Sequence, residues 1–286
     1  MKLYKKIGLA IFSVLLVLSL TACSVGEGIP FLTTKSKTTL PDNTVTVTFP
    51  EGYTIVQIAQ KLEQSKVCSA QAFLEACKKP VAGIEIDNAD DRVFLLEGYI
   101  FPDTYEFYLE SDAQSVVDKF IENFNSKVTD EMKTRAKTLG YTTDQIITLA
   151  SMIQKECDAD INECANVSSV FHNRLKDPAS FPKLESDVTT FYISQNLKDI
   201  LGYQDGVALE AQNDDVQKYM ELYSTYYRSG LPVGPICNPG LKAINAALHP
   251  NDTNYVFFLT DESGEHFYYA ATIAEHNANG EKAGLF

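Results

Sequence analysis

The pattern of apolar and polar residues from position 44 onward predicts a strand followed by two helices. Apolar residues alternate with threonines over 44–49, a period of two that is typical of a β-strand. After a Pro-Glu-Gly turn, the next apolar residues fall on one stripe of a helix: Ile55, Ile58, Ala59 and Leu62. Ser69 is in position to cap a second short helix that extends to Cys77. Together these elements form a small unit over residues 44–80.

Helices dominate the predicted middle of the chain. Their expected ranges are 113–139, 142–157 and 161–175. The second of them opens with a capping-box pattern, in which Thr142 is followed three residues later by Gln145. Residues 95–107, by contrast, are rich in aromatic side chains and include a glycine and a proline, which predicts a loop or a short extended segment.

The C-terminal region predicts a β-hairpin followed by a helix. Two runs with strand character, 255–260 and 265–270, flank the turn sequence Asp-Glu-Ser-Gly. Thr272 and Glu275 then match a second capping box, which predicts the start of a last helix. Short strands combined with several helices predict an α+β fold, with a mixed α/β domain over residues 91–286 after the small unit.

The N-terminus has the layout of an export signal. Lysines at positions 2, 5 and 6 precede an almost uniformly apolar stretch over 7–20, which ends in Leu-Thr-Ala-Cys at Cys23. This pattern is similar to a bacterial lipobox, in which the cysteine receives a diacylglyceryl group. The prediction is a signal peptide over 1–22, a lipid on Cys23 and a tether over 23–43. The alternative is an uncleaved signal anchor, and both place the remaining chain on the extracytoplasmic face of the cell membrane.

Composition narrows the classes of function. The 286 residues, 45% of them hydrophobic, are enough for a sizeable core. The formal charge is −14, from 24 Lys+Arg against 38 Asp+Glu, and this acidity argues against a nucleic-acid partner, because phosphate binding needs a basic surface. The 4 histidines are scattered without ligand spacing and there is no CxxC sequence, so we expect no metal and no cofactor.

The 6 cysteines allow a partial disulfide framework. With Cys23 assigned to the lipid, an odd number remains, so at least one thiol is free. Two candidate pairs are close in sequence, Cys68 with Cys77 and Cys157 with Cys164. The sequence alone does not establish the geometry that a disulfide requires.

One acidic residue stands out on the helix predicted over 142–157. At about 100° per residue, with Ile146 at zero, Glu156 falls near about 280°, beside Leu149 on the border of the apolar face. A carboxyl group at such a border loses hydration, which raises its pKa and suits it to general acid catalysis. The alternative is a structural glutamate that pairs with a cation such as Arg174.

Six sequence blocks follow one another in an order that identifies a family resemblance. They are LLEGYIFPDTY at 95–105, LASMIQKE at 149–156, VFHNRL at 170–175, LESDVT at 184–189, YSTY at 223–226 and GLPVGPICNPG at 230–240. Their order and spacing closely resemble the endolytic murein transglycosylase family, the MltG or YceG-like proteins, over residues 44–282. Within it, residues 44–80 look like the LysM-like module that often accompanies wall enzymes. A generic β-α connector gives the same pattern.

The resemblance implies an enzyme, anchored on the outer face of the cytoplasmic membrane, that cleaves the glycan strands of peptidoglycan. Such enzymes cut the β-1,4 bond between MurNAc and GlcNAc inside a strand, without water, and leave a 1,6-anhydro-MurNAc end. Glu156 matches the family's catalytic glutamate, which acts first as an acid and then as a base toward the MurNAc 6-hydroxyl. The resemblance also implies association with penicillin-binding synthases. The alternative function is a peptidoglycan-binding lipoprotein without turnover.

Several further residues in these blocks are candidate glycan contacts. They are Asp187, Asn173, Arg174, Tyr226, Asn238 and Tyr99. Asp187 is expected to orient the sugar or to stabilise positive charge at C1, with a cap or turn as its alternative. The alternative for Arg174 is a structural ion pair, and for the tyrosines it is core packing. The segment 230–240 is expected to form one wall of the cleft, and Glu97 is the one other acid to test as catalytic.

Three positions depart from the family pattern. Many members have a glutamate where this chain has Gln154, which leaves Glu156 as the candidate acid of this helix. Val188 stands where proline is common, and Ser224 where asparagine is common. The last two changes bear on details of glycan contact and not on the reaction.

Overall fold

The structure is a computed structural model that describes residues 43–285. The signal peptide, the lipid site at Cys23 and nearly all of the tether predicted over 23–43 lie outside the described residues. Within 43–285, no helix is long and apolar enough to cross a membrane. The architecture of these described residues is mixed, with many helices and two small antiparallel sheets of two strands each.

The strand and the two helices predicted over 44–80 are confirmed. Strand β1 covers Thr44–Thr48, helix α1 covers Ile55–Gln64 and helix α2 covers Ala70–Ala76. Ser69 caps α2 as expected, because its hydroxyl accepts a hydrogen bond of 3.2 Å from the Ala72 amide. Strand β1 pairs antiparallel with β2, Thr104–Tyr108, which lies partly in the segment predicted to be a loop or extended.

The N-terminal elements share one hydrophobic core with the residues that follow them. Phe49, just after β1, meets the ring of Phe120 at 5.2 Å between centroids, and Phe120 in turn lies 4.5 Å from Tyr105 of β2. These aromatic side chains are buried. Residues 44–80 are therefore packed against the next part of the chain and do not form a separate core.

Helices surround this core in the middle of the chain. They are α3 (Ala113–Lys127), α4 (Asp130–Leu139), α5 (Thr143–Glu156) and α6 (Ile161–Lys176). The prediction of one helix over 113–139 was wrong, because the buried Val128 is extended (φ −90°, ψ 90°) and Thr129 caps a new helix. The capping box at Thr142 is confirmed, with hydrogen bonds in both directions between Thr142 and Gln145.

The C-terminal half adds short helices and a hairpin. The helices are α7 (Asp187–Phe191), α8 (Lys198–Leu201), α9 (Asp214–Tyr223), α10 (Leu241–Leu248) and α11 (Ile273–Ala283), with a π-helical turn at Tyr192–Asn196 and 3₁₀ turns at Ala89–Asp91 and Leu209–Ala211. Strands β3 (Phe257–Thr260) and β4 (Phe267–Ala270) form the expected antiparallel hairpin. The capping box at Thr272 is also confirmed. Helix α5 packs against α10 and α6 and is buried along most of its length.

One of the two candidate disulfides is present. Cys157 and Cys164 are bonded, with their Cα atoms 5.5 Å apart, and the bond joins the end of α5 to the first turns of α6. Cys68 and Cys77 have free thiols, so the other candidate pair does not form.

Candidate functional site

The site is built around Glu156, the last residue of α5. The preceding face of the helix is buried, with Leu149, Met152 and Ile153 fully enclosed, whereas Lys155 is exposed. Glu156 itself is half-buried, which confirms the predicted position at the border of the apolar face. The helix thus fixes one carboxyl group where the core meets an opening.

That opening is a cleft of about 640 Å³. Glu156 lines it together with side chains of α6, the segment 184–187 and Tyr226. The other lining residues are largely apolar and are Phe257, Phe258, Leu259, Thr260, Ile273, His276 and Leu285. The lining therefore combines acidic residues, Glu156 among them, with largely apolar residues that come mostly from β3 and α11.

Ser186 touches the Glu156 carboxyl group directly. Its hydroxyl donates a hydrogen bond of 2.6 Å to Glu156 Oε1. Burial raises the pKa of Glu156, the nearby charge of Asp187 raises it further, and the bond from Ser186 acts in the opposite direction. The net effect is a raised pKa, and the negative end of the α5 dipole acts in the same sense. A raised pKa is the direction of shift that suits a general acid.

Ser186 is itself fixed by a network of buried hydroxyl groups. Its amide donates a hydrogen bond of 2.9 Å to Thr225 Oγ1, and its carbonyl accepts one of 2.6 Å from Thr189 Oγ1. The Thr225 amide donates in turn to Thr189 Oγ1 at 3.0 Å. The sequence blocks contain these residues, but we predicted no individual role for Ser186, Thr189 or Thr225. The available signal was a run of hydroxyl residues on both sides of Asp187.

Asp187 and Tyr226, two of the predicted glycan contacts, lie together beside Glu156. Asp187 is the exposed first residue of α7, and the Tyr226 hydroxyl donates a hydrogen bond of 2.8 Å to its Oδ1. The Tyr226 ring is 42% exposed and faces the cleft opening. Burial, aided by the Asp187 carboxylate, raises the pKa of Tyr226 to about 12. Its hydroxyl therefore stays protonated at neutral pH and can donate a hydrogen bond.

Arg174 lines the cleft but is engaged in holding it together. Its Nε donates to the Val256 carbonyl at 2.7 Å and its Nη1 to the Leu184 carbonyl at 2.9 Å. The guanidinium also stacks on Phe257 and makes a loose ion pair with the exposed Glu185 at 3.5 Å. The cation that we proposed as an alternative partner of Glu156 thus pairs with Glu185 and ties the two sides of the cleft together.

Asn173 does not line the cleft. Its side-chain amide donates to the carbonyls of Thr253 and Tyr255, at 2.9 and 2.8 Å. These bonds hold the segment that leads into β3. The predicted glycan contact is therefore replaced by a structural role for the Nδ2 group.

Tyr99 and Asn238 require a correction, because both are buried away from the cleft. The Tyr99 hydroxyl bonds to Asp144, which also pairs with Arg92. Asn238 is 0% exposed, and its Oδ1 accepts from the amides of Gly98 and Ile100 at 3.0 and 2.9 Å. Direct contact of either residue with a glycan was a wrong prediction, since their polar atoms are already satisfied inside the protein.

Glu97 also lies in the interior. It accepts hydrogen bonds from the amide of Ile55, the Tyr192 hydroxyl and the Asn238 side chain. Burial raises its pKa to about 8, yet no part of it reaches the cleft. A polymer cannot approach this buried acid, whereas Glu156 lines the cleft.

The segment 230–240 was also misplaced by the prediction. Its Ile236 amide donates to Ser151 Oγ at 3.0 Å, and Gly240 donates to Gln154 Oε1 at 3.0 Å, so it packs along α5. The cleft side is formed by 184–187 and Tyr226 instead. Gln154 is used by this packing, and it does not line the cleft. Among residues 43–285, no group of three or more His, Cys, Asp or Glu side chains has the geometry of a metal site.

Comparison with known proteins identifies relatives of this chain. The sequence model of the YceG-like family matches residues 28–282. The endolytic murein transglycosylase of Bacillus subtilis (strain 168) is 30% identical over 248 residues, covering 82% of this chain and 64% of the relative. The enzyme of that name from Streptococcus pneumoniae (strain D39) is 27% identical over 252 residues, covering 82% and 44%.

A solved structure is similar as well. The crystal structure of a putative YceG-like protein from Listeria monocytogenes is 26% identical, with a TM-score of 0.65, and the match covers 82% of this chain and 75% of that one. The chain thus spans less than two thirds of the two transglycosylases that it matches. The family match nevertheless covers most of its length, and the chain belongs to the YceG-like family.

Proposed function

We propose that this protein is an endolytic lytic transglycosylase of peptidoglycan. It cleaves the β-1,4 bond between MurNAc and GlcNAc within glycan strands and leaves 1,6-anhydro-MurNAc ends. The observation that carries the proposal is Glu156, a carboxyl group of raised pKa that lines an open cleft and is hydrogen-bonded to Ser186. The names of the relatives, endolytic murein transglycosylases, support the choice of substrate.

The first step is protonation of the leaving oxygen. Since the Ser186 hydroxyl donates to Oε1, the acidic proton of Glu156 belongs on Oε2, and Oε2 is the atom that delivers it to the substrate in this proposal. Transfer of this proton to the glycosidic oxygen accompanies cleavage of its bond to C1 of MurNAc. The strand beyond the cut leaves with a new hydroxyl group, and Glu156 becomes a carboxylate.

The second step closes the anhydro ring. The Glu156 carboxylate accepts the proton of the MurNAc 6-hydroxyl while O6 forms a bond to C1, which restores the acid. One carboxyl group is sufficient because the substrate supplies its own nucleophile, whereas ordinary glycosidases need a second carboxylate for water or for a covalent intermediate. Asp187, held by Tyr226, stabilises the positive charge that develops at C1 between the two steps.

The location is proposed to be the extracytoplasmic face of the cell membrane. The support comes from the export signal of residues 1–22 and the lipobox cysteine Cys23, with an uncleaved anchor as the alternative. The Cys157–Cys164 bond adds a separate argument, because disulfides persist in oxidising compartments outside the cytoplasm. Penicillin-binding synthases are proposed partners on this face.

The domain division is also a proposal. Residues 44–80 would serve as a LysM-like accessory module before a catalytic domain over 91–286. Strand β1 has its partner in β2, so the module would need Thr104–Tyr108 to complete its sheet.

Digestion of purified peptidoglycan tests the function. Protein comprising residues 24–286 and its Glu156→Gln variant are incubated with the substrate, and the products are identified by mass spectrometry. Anhydro-ended fragments from the wild type alone support the proposal. Reducing ends would indicate a hydrolase, and no products from either protein would favour a binding lipoprotein.

A further inference from the structure

The peptide chain on the C-terminal side of Glu156 is held by a covalent bond. Helix α5 ends at Glu156, and Cys157 already has extended backbone angles (φ −137°, ψ 107°). A residue at the last position of a helix is ordinarily free to fray, because only the bonds from the preceding turn hold it. Here the very next residue is joined to Cys164, the fourth residue of α6.

The linker between the two cysteines supplies few other constraints. Asp158 and Asp160 are exposed, and Asp160 uses its side chain to cap α6. Lys242 donates a hydrogen bond of 2.8 Å to the Ala159 carbonyl and forms a loose ion pair with the exposed Asp158 at 3.9 Å. Both half-cystines, by contrast, are buried, so the disulfide is the interior link across this turn.

The disulfide also joins two parts of the cleft. One end is adjacent to Glu156, and the other lies in α6, the helix that places Val170, Phe171 and Arg174 along the cleft. The Glu156–Ser186 hydrogen bond is 2.6 Å long, and a small displacement of the end of α5 would break it.

We propose that the Cys157–Cys164 disulfide is a positioning element for Glu156, required for full turnover. It fixes the carboxyl group against Ser186 and relative to α6, so the enzyme reaches full activity only in its oxidised form. This inference rests on the proposed transglycosylase function. It predicts a protein that is weakly active while its thiols are reduced, as in the cytoplasm, and fully active once the bond has formed.

Two preparations without the disulfide test the inference. One is the Cys157→Ala/Cys164→Ala double variant, and the other is wild-type protein treated with dithiothreitol, which reduces the bond to two thiols and is itself oxidised to a cyclic disulfide. Alkylation under denaturing conditions and mass measurement count the thiols. Cys68→Ala, with and without dithiothreitol, is the matched control, because the Cys68 thiol is bonded to no other cysteine within residues 43–285.

The readout separates positioning from stability. Peptidoglycan cleavage is measured at 20 °C on samples shown by thermal unfolding to be folded, and kcat, KM and the pH profile are recorded. We expect kcat to fall roughly tenfold with KM nearly unchanged, as for a misplaced catalytic group. The basic limb of the pH profile should move to higher pH, because Glu156 loses the hydrogen bond from Ser186. The Cys68→Ala protein should match the wild type before and after reduction.

The outcomes distinguish this inference from the proposed function. If oxidised wild-type protein yields no anhydro ends, the function itself fails. If it does, and a folded preparation without the disulfide keeps kcat within twofold with the same pH profile, the positioning role is overturned. If the double variant does not fold, kcat of the reduced wild type decides the question. If the buried disulfide resists reduction, kcat of the double variant decides it.

Discussion

The Ser186 hydroxyl donates to Glu156 Oε1 over 2.6 Å, which links the end of α5 to the start of α7. This contact favours the charged form of the acid, whereas burial and the charge of Asp187 oppose it. Ser186 and Asp187 therefore act on the pKa of Glu156 in opposite directions. Variants of Ser186 and of Asp187 should shift the pH dependence of cleavage in opposite directions as well.

Replacing Ser186 by alanine should raise the pKa of Glu156, because the carboxylate loses a donor. The active form of a general acid is protonated, so the basic limb of the pH–kcat profile should move to higher pH. We also expect kcat to fall roughly tenfold through lost orientation. A Ser126→Ala variant, which alters an exposed serine of α3, should leave the profile unchanged. A basic limb that moves to lower pH in Ser186→Ala would contradict the assignment.

Asp187→Asn should have the opposite effect on the pH dependence. Removal of a nearby negative charge lowers the pKa of Glu156, so the basic limb should move to lower pH. The loss of charge stabilisation at C1 should reduce kcat by roughly 10²-fold. Tyr226→Phe removes the bond to Asp187 without changing any charge and should have a smaller effect on kcat. Equal pH profiles for the wild type and Asp187→Asn would show that the two acids are not coupled.

Arg174→Met should reduce both stability and activity. The substitution removes a buried cation that bonds the carbonyls of Val256 and Leu184, and we expect the free energy of unfolding to fall by about 3 kcal/mol. Chemical denaturation measures this loss. Lys176→Met, on the same helix but exposed, is the matched control and should lie within about 0.5 kcal/mol of the wild type. Comparable losses in both variants would mean that Arg174 does not hold the cleft walls.

Glu97 should make stability depend on pH. Its pKa in the folded protein is about 8, above the ordinary 4.5, so its contribution is fully present below about 4.5 and is lost as the pH rises through about 8. The free energy of unfolding of the wild type should fall across this window by up to about 1.4 kcal/mol per pH unit from this group. The Glu97→Gln variant should show a shallower slope in the same denaturation series, and an unchanged slope would exclude a raised pKa.

Local patterns predicted the parts of this fold that depend on neighbouring residues. The capping boxes at Thr142 and Thr272 marked helix starts, because their hydrogen bonds join residues three apart. The helical wheel placed Glu156 at the edge of the core. The break at Val128 was missed because the apolar spacing continues across it, although Thr129 offered a competing cap.

Contacts between distant residues were not predictable in the same way. Ser186 lies 30 positions from Glu156, and nothing in the periodicity of either segment pairs them. Asn238 and Tyr99 have the polar groups that sugars need, yet buried carbonyls, amides and acids use the same groups. Residue type alone could not distinguish a glycan contact from an internal network. The family resemblance predicted Glu156 as the acid, and the geometry identified the residues around it.

The most direct test of the central claim is the count of 1,6-anhydro-MurNAc ends released from purified glycan strands, measured by mass spectrometry. The wild type and Glu97→Gln should both produce anhydro ends, because Glu97 lies outside the cleft. Glu156→Gln, which keeps the shape of the side chain but cannot supply the proton, should produce none above background. Anhydro ends released by Glu156→Gln at the rate of the wild type would contradict the account.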